Sequence, residues 1–310
     1  MSFAEYFMSN GLILTEGAIV ERLKSEYSVK LDKYINHAGL IYDNQIILTN
    51  LYKQYISVAQ KYNIPIMLMT PTRKVNFETI RYTEYNNRNL IIDSCNYLEE
   101  IRNEYIEFSE KIFIGGLLGC KGDAYRSEEA MAIDDAYLFH SIQVSEFIKG
   151  NIDFLFAGIM PALSEAIGMA QAMAESGLPY IISFMVRKDG CLLDGTSIAE
   201  AIKIIDNEVC PQPICYMANC IHPNNLKMAL KNEINQNTPY LNRFSGIQAN
   251  SSSLSPEELN NSSALHVGNY DEMVSEMIFL ANEYHLKILG GCCGTDNVFL
   301  EKLAEKISKI

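Results

Sequence analysis

Eight short, almost wholly apolar runs constrain this chain more than any other feature. Each is separated from the next by a longer stretch, in several of which apolar residues recur every three or four positions. The runs lie at residues 12–15, 64–70, 111–116, 152–157, 179–186, 213–218, 240–245 and 286–290. Consecutive rather than alternating apolar residues describe strands buried on both faces, as in a parallel sheet covered by helices. Residues 44–62 place Ile46, Ile47, Leu51, Tyr55 and Val58 at helical spacing. Residues 127–149, 163–176, 197–207 and 271–284 behave similarly, and 296–310 reads as a last helix. Ser197 with Glu200, and Ser255 with Pro256 and Glu258, read as helix starts. Eight strands alternating with helices predict an α/β chain folded as a (β/α)8 TIM barrel, one domain over residues 1–310. An open doubly wound sheet is the alternative.

Neither a Gly-x-Gly-x-x-Gly after the first run nor a Walker-type loop is present. The glycine-rich stretch at residues 115–122 lacks the Lys-Ser/Thr of a phosphate cradle and reads as a strand-end loop that lets backbone approach a ligand. Two long connections, 70–89 and 246–268, read either as covers for a barrel mouth or as solvated loops.

A formal charge of −13, from 38 acidic and 25 basic side chains, argues against a nucleic-acid partner. No run approaches the roughly 18 apolar residues that span a bilayer. The start Met1-Ser2-Phe3-Ala4-Glu5 lacks the basic and apolar regions of a signal peptide. A cytoplasmic, reducing location is therefore expected, in which the eight cysteines are thiols or metal ligands before they are disulfides. Cys95, Cys191, Cys210 and Cys215 lie in ordinary surroundings and read as structural.

The remaining signal is Gly290-Gly291-Cys292-Cys293-Gly294-Thr295, directly after the eighth run. Glycine permits backbone angles that turn both sulfurs the same way. Cys220, in Ala218-Asn219-Cys220-Ile221-His222-Pro223, follows the sixth run. In a barrel all three cysteines fall at the C-terminal mouth, where barrel enzymes do their chemistry. Three thiolates select a soft cation and leave one corner of a tetrahedral Zn2+ open, as catalytic zinc requires. Asn219 either positions backbone or substrate or caps a helix. His222 reads as a turn entering a helix rather than a fourth ligand, and Asp296 as an N-cap.

These motifs resemble the zinc-dependent homocysteine S-methyltransferases, a family that includes the betaine and S-methylmethionine enzymes and the homocysteine module of cobalamin-dependent methionine synthase. The resemblance covers nearly the whole chain. Residues 288–295 look like the family's second zinc motif and Asn219-Cys220 with Pro223 like its first. Weaker matches are His140 with Gln143, Ile182-Ser183-Phe184, Leu193-Asp194-Gly195-Thr196-Ser197, and Gly116, Gly119 and Gly122. The resemblance implies a zinc enzyme that methylates a small thiol, homocysteine first, to give methionine. The donor is a small methyl compound or a separate corrinoid protein, with no cobalamin or folate domain attached.

Departures from the family pattern surround the amino-acid clamp. Glu16-Gly17-Ala18 stands where the family carries Asp-Gly-Gly or Asp-Gly-Ala, and Ala157-Gly158 where it carries Glu-Thr. Leu117 and Cys120 replace the usual Ser and Pro of the glycine loop. Glu16 is then the acid placed to meet the substrate ammonium, its alternative being a charge at a helix start. The amides of Gly17 and Ala18 are placed for the carboxylate, and Asn219 completes the expected substrate set. Two other functions remain open: action on a different small thiol, and a non-catalytic zinc-binding barrel.

Overall fold

The computed structural model describes residues 1–9, 11–260 and 268–309. Eight strands, β1 (Ile13–Thr15), β2 (Ile66–Met69), β3 (Ile112–Gly119), β4 (Phe154–Met160), β5 (Tyr180–Phe184), β6 (Cys215–Ile221), β7 (Phe244–Ala249) and β8 (Ile288–Gly291), pair in sequence order. All pairings are parallel, and β8 returns to β1 through Ile13 opposite Ile288. The result is a closed (β/α)8 barrel, not an open sheet.

Strand period explains why the runs are apolar throughout. In β4, Phe154 and Phe156 fill the barrel interior with Met67, Met69, Phe113 and Met217, while Leu155 and Ala157 face the helices. The foot of the interior is closed by the helix Phe3–Met8, which sequence reading passed over. Phe3 is fully enclosed and stacks on Phe154 at 4.4 Å between ring centroids. Its start is fixed by a capping box between Ser2 and Glu5.

Four expectations need correction. The seventh strand begins at Phe244, because Pro239–Arg243 forms a 3-10 turn and the true strand is Phe244-Ser245-Gly246-Ile247-Gln248-Ala249. The third strand runs on to Gly119, so Gly115 and Gly116 belong to the sheet. A Cβ on Gly115 would lie 2.5 Å from the Phe154 ring, so its small size answers a packing demand and not a ligand. In the helix Gln45–Tyr62, Ile46 points to solvent, and the buried stripe is Leu48, Leu51, Tyr52, Tyr55, Ile56 and Ala59. The segment 127–149 is a 3-10 turn at Ser127–Glu129 followed by a helix only from Ile133 to Phe147. Helices Leu90–Asn103, Leu163–Ala174, Ile198–Glu208, Pro223–Lys231, Tyr270–Tyr284 and Asn297–Ile307 complete the outer layer. Among the described residues no helix is long and apolar enough to cross a membrane.

The connection after β2 is packed on its inner side, with Lys74, Arg81, Tyr82, Glu84 and residues 86–89 exposed. It buries Val75 and Tyr85, and Gln143 Nε2 donates to Val75 O. His140 joins Gln143 Oε1 to Glu165 Oε1, each at 3.0 Å, and Glu165 accepts the amide of Lys121 at 2.7 Å. His140 and Glu165 are wholly buried, so each needs these partners to avoid a desolvation cost of several kcal/mol. This chain of contacts fixes the loops after β2 and β3 over the mouth. Of the connection at 246–268, residues 261–267 lie outside the described residues. Its earlier part continues β7 to Ala249 and forms the helix Pro256–Asn260, which Ser255 and Glu258 start with a reciprocal capping box.

Candidate metal centre and thiol pocket

β6 and β8 end side by side at the mouth. Near its end β6 carries an irregularity between Asn219 and Ile221, and Cys220 adopts φ 56°. That left-handed conformation is unusual for a residue with a side chain. Past β8, the amide of Cys292 donates to Ala249 O at 2.7 Å and the amide of Ser251 to Cys293 O at 3.0 Å. Thr295 Oγ1 closes the turn on Cys292 O at 2.7 Å. Gly294 has φ 74° and gives its amide to the Glu21 carboxylate. The two leading glycines serve another purpose than backbone freedom. A Cβ on Gly290 would sit 1.9 Å from Thr15 Oγ1, and one on Gly291 2.1 Å from Thr295 Oγ1.

The ligand atoms of Cys220, Cys292 and Cys293 lie within 4.8 Å of one another, with Cys220 Sγ 3.7 Å from Cys293 Sγ. Sulfurs bound at the usual zinc–sulfur distance of about 2.3 Å in a tetrahedron stand about 3.8 Å apart. The donor set therefore fits a zinc-like cation in both chemistry and spacing. Asn250 Nδ2 donates to Cys220 Sγ at 3.3 Å, and the Tyr125 hydroxyl lies 3.6 Å from the same sulfur. Hydrogen bonds from Cys292 and then Cys293 pull the Cys220 thiol well below its ordinary range. The same bonds push its two neighbours up.

Beside the sulfurs lies a cavity of about 210 Å³, which Glu16, Gly17, Ala18, Gly158 and Asn219 all line. Glu16 is 7% exposed and accepts the Met69 amide at 3.0 and 3.2 Å. Burial raises its carboxyl to about 8, against which the Met69 bond acts only partly. Ala18 has already given its amide to Thr295 O at 3.2 Å. Asn219 is not a helix cap. Its Oδ1 accepts the Ile159 amide at 3.0 Å, and its Nδ2 donates to Gln248, which reaches Thr15 Oγ1 at 3.2 Å. This polar row ties β4, β6, β7 and β1 together beneath the cavity.

Strand register separates the two positions that stand where the family carries Glu-Thr, and the acid's expected place, Ala157, is the one turned away from the cavity. Gly158 faces the cavity, whereas Ala157 packs outward among the helices. The next residue, Ile159, has φ 62°. A β-branched side chain in that region carries strain of order 1–3 kcal/mol. Ile159 sits at the irregularity in β4 and is partly buried against the cysteine cluster.

His222 caps the helix Pro223–Lys231 by accepting the Asn224 amide on Nδ1, and Asp296 caps Asn297–Ile307, both as the sequence suggests. Cys95 and Cys215 are enclosed in the core, and Cys120, Cys191 and Cys210 lie outside the three-sulfur group. Sequence reading missed Tyr125, Gln248, Asn250, His37 and Arg73. A correct end for the seventh strand would have revealed Asn250, the first residue past it. The same correction places Gln248 on that strand, and nothing local marks the other three.

A closed barrel bearing three clustered thiols and a lined cavity at the C-terminal ends of its strands defines a thiol-centred barrel enzyme. The sequence profile of the family described as homocysteine S-methyltransferase matches residues 13–307. The chain belongs to that family and is a thiol methyltransferase. No curated protein matches it by sequence. Among solved structures it is similar to the homocysteine methyltransferase MmuM from Escherichia coli in its metallated form, with 17% identity, TM-score 0.75, and coverage of 97% of this chain and 98% of that one. The oxidized form of the same protein matches at 17% identity and TM-score 0.75, covering 98% of each chain. Its apo form matches at 18% identity and TM-score 0.68, again over 98% of each.

Proposed function

We propose that the protein is a zinc-dependent S-methyltransferase whose acceptor is homocysteine and whose product is methionine. The three sulfurs of Cys220, Cys292 and Cys293, converging at the edge of a small-molecule cavity, carry this reading. Those three residues would hold Zn2+, which when bound supplies deprotonation of the acceptor thiol while keeping its sulfur nucleophilic. A site with three protein ligands suits catalysis better than a purely structural role, which four would close.

The chain's own residues provide the rest. Asn250 donates to Cys220 Sγ and draws off part of its charge. Glu16 faces the acceptor as the acid for its ammonium, and the amide of Gly17 is the one left to meet its carboxylate once that of Ala18 is spent. Asn219 acts as a positioning residue, holding the strained Ile159 turn against the cavity. Reduced thiols at the mouth suit the cytoplasm. The methyl donor is a small compound or a separate corrinoid protein.

Gly158 supports a second reading, in which the acceptor is a small thiol without an ammonium, because no acid stands at that cavity position. The test is a matrix of methyl donors against thiols with zinc-loaded protein, scored by product mass. Methionine from homocysteine supports the first reading. Turnover confined to thiols lacking an amino group supports the second, and no turnover with any pair contradicts both.

A further inference from the structure

Arg73 is the arginine with no assigned partner among the described residues. Arg22, Arg102, Arg126, Arg187 and Arg243 pair with carboxylates, and Arg81 and Arg88 lie over aromatic rings. Arg73 instead lines the mouth cavity. Its place there is built. A Cβ on Gly119 would meet Arg73 O at 2.5 Å and Arg73 Cγ at 2.7 Å, so glycine at the end of β3 is what lets this residue lie across it. The loop that carries it is pinned through Val75 by the Gln143–His140–Glu165 contacts.

His37 lines the same cavity, is 7% exposed, and has an enclosed Nδ1 with no hydrogen-bond partner. A buried ring nitrogen without a partner is a cost that a bound ligand can remove. Burial, and then the charge of Arg73, depress its basicity to about 3. It is therefore a neutral imidazole beside a cation, not a second cation.

We infer that Arg73 and His37 form a carboxylate subsite of the cavity, which holds the carboxylate of a bound substrate. The guanidinium fork matches a carboxylate in two parallel hydrogen bonds. A single guanidinium supplies one charge, enough for a carboxylate. Among the described residues Arg73 is the one cationic side chain on the cavity wall, which favours a singly charged anion over a doubly charged phosphate. The need is real, because Ala18 has no amide left to give and the Gly17 amide alone is a weak anchor for a charged group. The inference rests on the proposed acceptor chemistry at this mouth, and the carboxylate belongs either to the thiol acceptor or to the methyl donor.

Zinc-loaded parent, Arg73→Met and Arg73→Lys proteins separate these cases by calorimetric titration, which needs no turnover. The probes are homocysteine, its deaminated analogue 4-mercaptobutanoate and its decarboxylated analogue 3-aminopropane-1-thiol, with S-methylmethionine and betaine as donors. Arg73→Met keeps the apolar stem, so its fold is checked by circular dichroism and its metal by content. Loss of about tenfold or more in affinity for homocysteine and 4-mercaptobutanoate, with 3-aminopropane-1-thiol unaffected and partial recovery in Arg73→Lys, supports an acceptor carboxylate. The same loss confined to the donors supports a donor carboxylate. Unchanged affinity for every carboxylate in a folded, metal-loaded Arg73→Met protein overturns the inference, even if methyl transfer is observed. Conversely, Arg73-dependent carboxylate binding without methyl transfer to any thiol leaves the subsite standing and removes the proposed activity.

Discussion

Glu16 gives the most quantitative prediction. Its carboxyl is raised to about 8 by burial, so at pH 7 roughly nine-tenths of the protein carries it protonated. An ammonium placed beside it favours the ionised form, and ionising it at pH 7 costs only about 1.4 kcal/mol. Binding of homocysteine at pH 7 should therefore expel about 0.9 proton from Glu16, in addition to the proton lost by the thiol. Calorimetry in buffers of different ionisation enthalpy counts these protons directly. The parent should release nearly two, and Glu16→Gln only the thiol's one, with homocysteine bound more weakly and zinc content unchanged. Below pH 8 the logarithm of homocysteine affinity should rise about twice as steeply with pH in the parent as in Glu16→Gln. For stability the sign is opposite. A folded-state value above the unfolded one contributes stability present below about 4.5 and lost as pH rises through about 8, and Glu16→Gln should flatten that decline. Equal proton release from parent and variant would refute the assignment of Glu16 to the ammonium.

Three further outcomes follow from packing and strand register. Phe3→Ala removes the ring that plugs the barrel foot and should cost about 3–5 kcal/mol in urea unfolding while leaving metal content intact; a loss below about 1 kcal/mol would mean the plug is incidental. Gly158→Glu points an acid into the cavity, where its Cβ crowds the movable end of Leu117 at 2.8 Å and touches the Phe156 ring at 3.5 Å, and should lower the homocysteine KM. Ala157→Glu drives the same charge into the helix layer and should cost several kcal/mol of stability without improving binding; the reverse pattern would show that the register of β4 has been misassigned.

The barrel and its sulfur cluster were legible because both are written in local pattern. Continuous apolar runs mark doubly buried strands, and three cysteines directly after runs six and eight must share one mouth. The strand ends were less legible. Tyr240 and Leu241 look like strand residues, yet Pro239 starts a tight turn, and the shift hid Gln248 and Asn250. Gly158 and Ala157 are adjacent in sequence but face opposite layers, which only the pairing register decides. His37 and Arg73 were invisible for another reason. They reach the cavity from long connections whose course depends on distant buried contacts such as His140 with Glu165.

The central claim is that Cys220, Cys292 and Cys293 hold one zinc with a position free for the substrate's sulfur. X-ray absorption at the zinc edge, before and after homocysteine is added to zinc-loaded protein, measures this most directly. The account predicts three sulfur neighbours and one lighter atom at first, becoming four sulfurs at about 2.3 Å, with zinc lost in Cys220→Ser. Zinc retained in full by Cys220→Ser, or a coordination shell unaltered by homocysteine, would contradict it.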